Sequence, residues 1–174
     1  DSAKGKIWIQ VDKLDREFLY VNALPAGLGS SDIALDRGMI GDSRIVYFNR
    51  VGRKLLLIQP NYDYRAVTNN FNERKSVKES FAQSVIAGFE IDEDEGDRVL
   101  IDATTFFLRD AMGVANRIKI MEQGTYSFNE IRSAMYLPNT RNFPLNSEFE
   151  ATITFTGGND AGAMVTSVDR KSVV

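Results

Sequence analysis

The chain has 174 residues and a net charge of −3, with 43% hydrophobic and 26% charged residues. That balance predicts one folded domain over residues 1–174 with a core of its own, and it excludes a disordered segment as the main feature. With no histidine and no cysteine in the sequence, the chain cannot by itself run His- or Cys-based catalysis, carry a zinc finger, or ligate haem iron or an iron–sulfur cluster.

The acidic balance is not the footprint of a nucleic-acid binder. No run approaches the ~18 apolar residues that a membrane span needs. Neither nucleic acid nor a bilayer crossing is therefore expected. An enzyme built from this chain would have to work with carboxylates, Lys, Tyr, Ser or an oxygen-bound cation.

Strand signals dominate the first third. Ile7, Ile9 and Val11 alternate with Trp8 and Gln10, the period of a half-buried strand. Phe18 to Leu24 reads as a second strand that Pro25 stops, and residues 25–31 (PAGLGSS) as a loop. Arg44 to Arg50 reads as a third, with Val46 and Phe48 on one face and Ile45, Tyr47 and Asn49 on the other. After a tight turn at Val51-Gly52, Lys54 to Gln59 completes a hairpin with it.

A helix is expected next. Asn70 offers an N-cap with Glu73 three residues on. Val77, Phe81, Val85 and Phe89 recur every four residues, Ala82 and Ile86 widen the stripe, and Gly88 marks the end. Glu73, Lys75, Lys78 and Glu79 fall on the wet face. An acidic turn follows over Asp92–Asp97, then a strand over Arg98–Asp102. Thr104 or Thr105 caps a short helix carrying Phe106, Phe107 and Leu108. Ser127 to Glu130 reads as a capping box before a helix with Ile131 and Met135.

Residues 138–146 read as a loop. Phe149, Ala151, Ile153 and Phe155 alternate with Glu150, Thr152 and Thr154, the best strand signal in the chain. Gly157 to Asp160 forms a turn, and Ala163 to Val168 begins a further strand. Together these elements predict an α+β fold: a mostly antiparallel sheet with one main amphipathic helix packed on a face, and one or two short helices.

Several groups of residues invite a chemical reading. The acidic run at Asp92 supplies oxygens that a calcium ion would accept. An EF-hand register starting there places Gly96 at position 5 and Ala103 at position 12, so that pattern fails and a solvated turn is the commoner role. Residues 27–32 (GLGSSD) lack the third glycine of a dinucleotide fingerprint and the Gly-Lys-Ser/Thr of a phosphate loop. These glycines are expected to serve turns with positive φ.

Arg37 and Arg65 could each grip a carboxylate, in a partner or, more commonly, in an ion pair pinning loops. Tyr62, Tyr64, Phe106 and Phe107 could form a binding patch or divide between core and rim. Carboxylate-pair hydrolysis stays open, but nothing in the sequence selects a pair.

A wider pattern emerges from the order of these stretches. It runs through Phe18–Val21, Gly27–Ser30, Leu35–Gly38, Val51–Leu57, Asn61 and Tyr64–Ala66. It continues through Glu79–Ala82 with Ser84 and Val85, Val99–Thr104, Asp110, Asn146 and Thr154–Gly157. From about Gly5 to Val174 the chain resembles a domain of unknown function that precedes the zincin catalytic domain in large secreted bacterial zinc-dependent metalloproteases.

The resemblance implies a non-catalytic accessory domain, with zinc and the His-Glu-x-x-His helix in a downstream protease domain that would be its partner. No cofactor or metal ligand maps onto this chain. Export to the periplasm or cell surface is implied, as is excision from a longer protein. The alternatives are a free-standing cell-surface module for a peptide or glycan, and a carboxylate-based hydrolase. Asp36, Arg37, Asn61, Arg65 and Asp102, the polar members of the matching stretches, are expected to matter for structure or an interface, with no catalytic role. Loss of Arg65 is expected to cost more stability than loss of Arg53, which is placed on an exposed turn.

Overall fold

The computed structural model describes residues 1–28, 31–96, 98–165 and 172–173. In chain order the elements are β1 (Trp8–Val11), β2 (Phe18–Leu24), β3 (Met39–Val51), β4 (Lys54–Gln59), α1 (Phe71–Ser80), β5 (Ser84–Asp94), β6 (Val99–Asp102), α2 (Thr104–Phe107) and α3 (Val114–Ile120). Seven short strands complete the set: β7 (Tyr126–Phe128), β8 (Ala134–Met135), β9 (Arg141–Asn142), β10 (Ser147–Glu148), β11 (Ala151–Ile153), β12 (Phe155–Gly157) and β13 (Ser172–Val173). Six strands form one sheet in the order β1-β6-β5-β4-β3-β2. The chain divides into two compact units. One holds Asp1–Trp8, Val21–Ser43 and Ala103–Val174; the other holds Ile9–Tyr20 and Arg44–Asp102.

The second unit is built on antiparallel pairing of β3, β4, β5 and β6. The β3–β4 hairpin closes at Val51 opposite Lys54, with Phe48 opposite Leu57. Val46, Leu55, Leu57, Phe89, Ile91, Val99 and Ile101 are buried, and Leu55 lies opposite Phe89 and Ile91 opposite Ile101. Directly opposed apolar pairs of this kind are what stabilise a sheet face. The strand positions of β2, β4 and β6 and the apolar alternation in β3 agree with the sequence pattern.

The main amphipathic helix is not there, and the fold is mostly β, with 37% strand against 16% helix. Helix α1 begins as expected: the Asn70 side chain accepts the Asn72 N–H at 2.9 Å and donates to Glu73 at 3.3 Å. It stops at Ser80, and Phe81 turns extended while its N–H bonds the Val77 carbonyl at 3.0 Å. No residue of α1 is buried. The second half of the expected stripe is strand β5.

A spacing of four is even, so it fits the two-residue repeat of a strand as well as a helical face. The β-branched Val85 and Ile86 favour the strand. A bulge on β5, where Leu57 pairs Ala87 but Ile58 pairs Val85, then shifts the alternation. Val85 is left 58% exposed while Phe89 is buried. Gly88 ends no helix; it sits mid-strand opposite Leu56, where a Cβ would stand 3.3 Å from the Leu56 side chain.

The core of the first unit gathers Leu24, Ile33, Leu35, Val114, Ile118, Tyr126, Ala151, Ile153, Phe155 and Val165 in one cluster. Helix α3 supplies Val114 and Ile118 to it, four residues apart on one face. Its N-terminus is held by Asp110, whose carboxylate accepts the N–H of Val114 at 2.7 Å and of Ala115 at 3.0 Å. Arg117 donates to the Ile33 carbonyl at 2.8 Å. Gly27 is a close-approach glycine, not one with positive φ: a Cβ there would lie 2.9 Å from both the Arg37 nitrogen and the Leu35 oxygen. Gly29 lies outside the described residues.

The alternating run 149–155 becomes two strands. Ala151, Ile153 and Phe155 are all buried, as alternation demands, but β11 pairs with β8 and β13 while β12 pairs with β7. Thr154 marks the break. Its N–H bonds the Ser133 hydroxyl at 2.9 Å and its own hydroxyl donates to the Arg132 carbonyl at 2.7 Å.

Four further expectations meet the structure differently. Ser127 lies in β7, not in a helix cap, and Ile131 is 98% exposed on a turn. Neither Thr104 nor Thr105 caps α2, whose N-cap is Ala103; the Thr104 hydroxyl accepts the Ile7 N–H at 2.9 Å instead. Residues 138–146 hold a 3-10 turn at Leu137–Asn139 and the β9–β10 hairpin. Of the strand expected at Ala163–Val168, residues 163–164 form a turn and 166–168 lie outside the described residues.

Candidate functional site

A cleft of about 290 Å³ opens in the second unit, between the segment after β4 and one face of α1. Its walls come from Pro60 to Ala66, omitting Asp63, from Arg74, Val77, Lys78 and Phe81, and from Glu17, Tyr47 and Gln83. The α1 members Arg74, Val77 and Lys78 sit at i, i+3 and i+4, the spacing that places side chains on one helical face, and Phe81 follows at the helix's C-cap. Pro60 ends β4, because a proline cannot donate to the next rung of the ladder. The chain then folds through an Asx turn, in which the Asn61 side chain accepts the Asp63 N–H at 3.2 Å.

Aromatic contacts fix the walls. Tyr64 stacks on Phe81 with ring centroids 3.8 Å apart and planes 3° from parallel. This contact seats the segment against the end of α1 and partly explains why the helix needs no buried stripe. Arg65 donates its Nε to the Tyr62 carbonyl at 3.0 Å and lays its guanidinium 4.8 Å from the Tyr62 ring centroid. The Tyr62 hydroxyl donates to the Glu17 carboxylate. That bond first, then loss of solvent, raises the Tyr62 phenol above its ordinary range. The Tyr47 hydroxyl donates to Gln83 at 3.0 Å, and Arg74 donates to the Thr68 carbonyl at 2.8 Å.

The charge here runs against that of the whole chain. Three cations, Arg65, Arg74 and Lys78, face one carboxylate, Glu17, in a chain of net charge −3. Glu17 is already engaged by Tyr62. A cleft of this chemistry suits an anion beside an apolar or aromatic group.

Two of the polar residues singled out from the sequence, Asn61 and Arg65, meet in this cleft. Asp102 is a half-buried residue at the end of β6. Asp36 and Arg37 are exposed in the first unit, where the Asp36 carbonyl accepts the Met39 N–H at 3.2 Å. Arg65 grips a backbone carbonyl rather than a carboxylate. Arg53 lies exposed on the turn after β3, as expected, and donates to the Ile91 carbonyl at 3.0 Å.

The four aromatics divide. Tyr62 and Tyr64 line the cleft, while Phe107 stacks on Phe149 at 4.2 Å and Phe106 packs under Arg109 in the first unit. Lys78 is exposed, as expected of the wet face of α1, and with Arg74 it lines the cleft. Their spacing with Val77 and Phe81 is the signal that finds them.

The acidic segment carries no cation site among the described residues, where no three acidic side chains gather closely enough to hold a metal ion. Asp94 accepts from Arg50, at 3.1 Å through one of the two contacts, and from the Gly96 N–H at 3.1 Å. The Arg50 bond, followed by that backbone N–H, holds the Asp94 carboxyl below the usual range, and Arg50 is raised in turn. Asp97 lies outside the described residues.

A family model described as "Domain of unknown function (DUF5117)" matches residues 38–174. The chain belongs to that family. No curated protein and no solved structure matches it. The DUF5117 match takes in every residue of the cleft wall except Glu17. It begins later than the resemblance does, so Asp36 and Arg37 fall before it. The donors of the DUF5117 chain, without histidine or cysteine, do not fit a catalytic zinc centre.

Proposed function

We propose that this chain is the non-catalytic accessory domain of a secreted bacterial zinc metallopeptidase, at work in the periplasm or at the cell surface. Its task is to pack against the protease domain of its parent, shaping that domain's cleft or aiding its folding. The observation that carries this reading is the ordered run of matching stretches in a DUF5117 chain with no histidine. Metallopeptidase chemistry in such a parent must be supplied by residues outside this segment.

Support comes from the surface. Tyr64, Val67 and Phe71 near α1 are exposed, as are Phe143 and Leu145 at the tip of the β9–β10 hairpin. Within each unit, neighbouring apolar side chains left in water are groups that a domain can offer to a neighbour.

The test is proteolysis by the full-length parent with and without this segment, alongside its zinc content. Activity that falls, or substrate preference that changes, on removal of the segment with zinc retained supports the reading, whereas activity that rises makes the segment an inhibitory prodomain instead. A parent that binds no zinc and cleaves nothing in either form overturns it.

A further inference from the structure

We propose that the cleft between the Pro60–Ala66 segment and α1 is a binding site for an acidic peptide segment. A glutamate or aspartate side chain would lie on Arg65, Arg74 and Lys78, with a neighbouring apolar side chain against Tyr64 and Phe81. The inference stands whether or not the parent carries a protease domain.

Charge is the first argument. Arg74 and Lys78 are like charges at i, i+4 on α1, an arrangement that destabilises an isolated helix. The same helix builds a favourable i, i+4 pair elsewhere, Lys75 with Glu79 at 3.7 Å. The cleft face is thus the side of α1 on which positive charge accumulates, and Arg65 adds to it from the facing segment. An incoming carboxylate relieves the repulsion and meets a guanidinium whose forked nitrogens match its geometry.

Size and shape select the class of ligand. About 290 Å³ is at the small end of the ~300–1,000 Å³ of ligand pockets, room for one or two side chains of a longer chain. Sugar recognition would need open aromatic faces. One face of Tyr64 is covered by Phe81 and one face of Tyr62 by Arg65, which leaves each ring at most one face for a sugar, while the three cations Arg65, Arg74 and Lys78 favour a carboxylate over a neutral glycan.

The test titrates the 174-residue chain with a capped tetrapeptide carrying glutamate next to phenylalanine, followed by NMR of the Tyr64 and Phe81 rings. The glutamine analogue and maltohexaose are titrated in parallel. We expect saturable shifts with the glutamate peptide and binding at least about tenfold weaker with glutamine. Lys78→Glu should weaken binding about tenfold, and Lys75→Glu, the same charge change on the same helix but outside the cleft, by less than about twofold. Lys78→Gln provides the same comparison should the reversed charge disturb α1. Equal binding of the glutamine peptide overturns the proposal. So do equal losses in the Lys75 and Lys78 variants, or ring shifts with maltohexaose alone.

Discussion

Helix α1 spans ten residues and buries none of them, whereas α3 spans seven and buries Val114 and Ile118. The longer helix has the better sequence signature, with a capping residue and an apolar stripe. The shorter one has a carboxylate on its first two amides and a guanidinium on the Ile33 carbonyl. The difference teaches that tertiary anchoring, not helix length, decides which helix belongs to a core. α1 is held mainly at its ends, by Asn70 and by Phe81 on Tyr64, and its face is left to line a cleft.

This contrast can be broken most sharply at Ile118, which is fully buried. Ile118→Ala should cost about 2–5 kcal/mol by chemical denaturation, while Val77→Ala on α1 should cost less than about 1 kcal/mol. Equal losses would mean that α1 is packed as tightly as α3.

Next in size is the cap of α3. Asp110→Ala removes the acceptor of two backbone amides and should cost about 1–2 kcal/mol, with Asp110→Asn milder. A neutral result would move the credit for α3 to its apolar face alone.

Asn70→Ala should be smaller still, about 0.5–1 kcal/mol. It should appear as faster hydrogen exchange within α1 and leave the rest of the second unit protected. Protection lost throughout that unit would show that the helix and sheet unfold together.

The smallest effects are those of pH. The folded Asp94 and Asp160 carboxyls are depressed, the first chiefly by Arg50 and the second chiefly by the Thr125 N–H. The stability each gives is therefore complete above the ordinary carboxylate range and is lost as pH falls through the folded value. Tyr62 is raised, chiefly by Glu17. Its share is complete below the ordinary phenol range and is lost as pH rises through the folded value. All three groups are exposed, so screening keeps these effects slight. Asp94→Asn should flatten part of the acid limb of a melting curve against pH, and an unchanged limb would remove Asp94 from it.

Much of the sheet was legible. β2 follows from its apolar run stopped by Pro25, and β4 from the hairpin that the Val51-Gly52 turn makes with β3. What misled was the spacing of Val77, Phe81, Val85 and Phe89, because a repeat of four cannot separate a helix from a strand. A bulge at Ile86 then hid the strand period. Helix α3 is hard to see in the sequence because its seven residues give only one buried pair, Val114 and Ile118, and its Asp110 cap bonds from outside the usual capping box. The cleft was half legible. Asn61, Tyr62, Tyr64 and Arg65 are neighbours in sequence, but Glu17, Tyr47 and Gln83 reach it only through tertiary folding.

The interleaving of the two units carries a consequence in time. Arg117 and Ile33, which meet in the first unit, are 84 residues apart in the chain. At roughly 5–20 residues per second of synthesis, that gap lasts about 4–17 s. Leu24, Ile33 and Leu35 are thus made well before Val114, Ile118 and Phe155, their partners in the core. The second unit ends at Asp102, so its sheet can close during that wait. Leu24, Ile33 and Leu35 therefore wait for the helix and strands that complete their core.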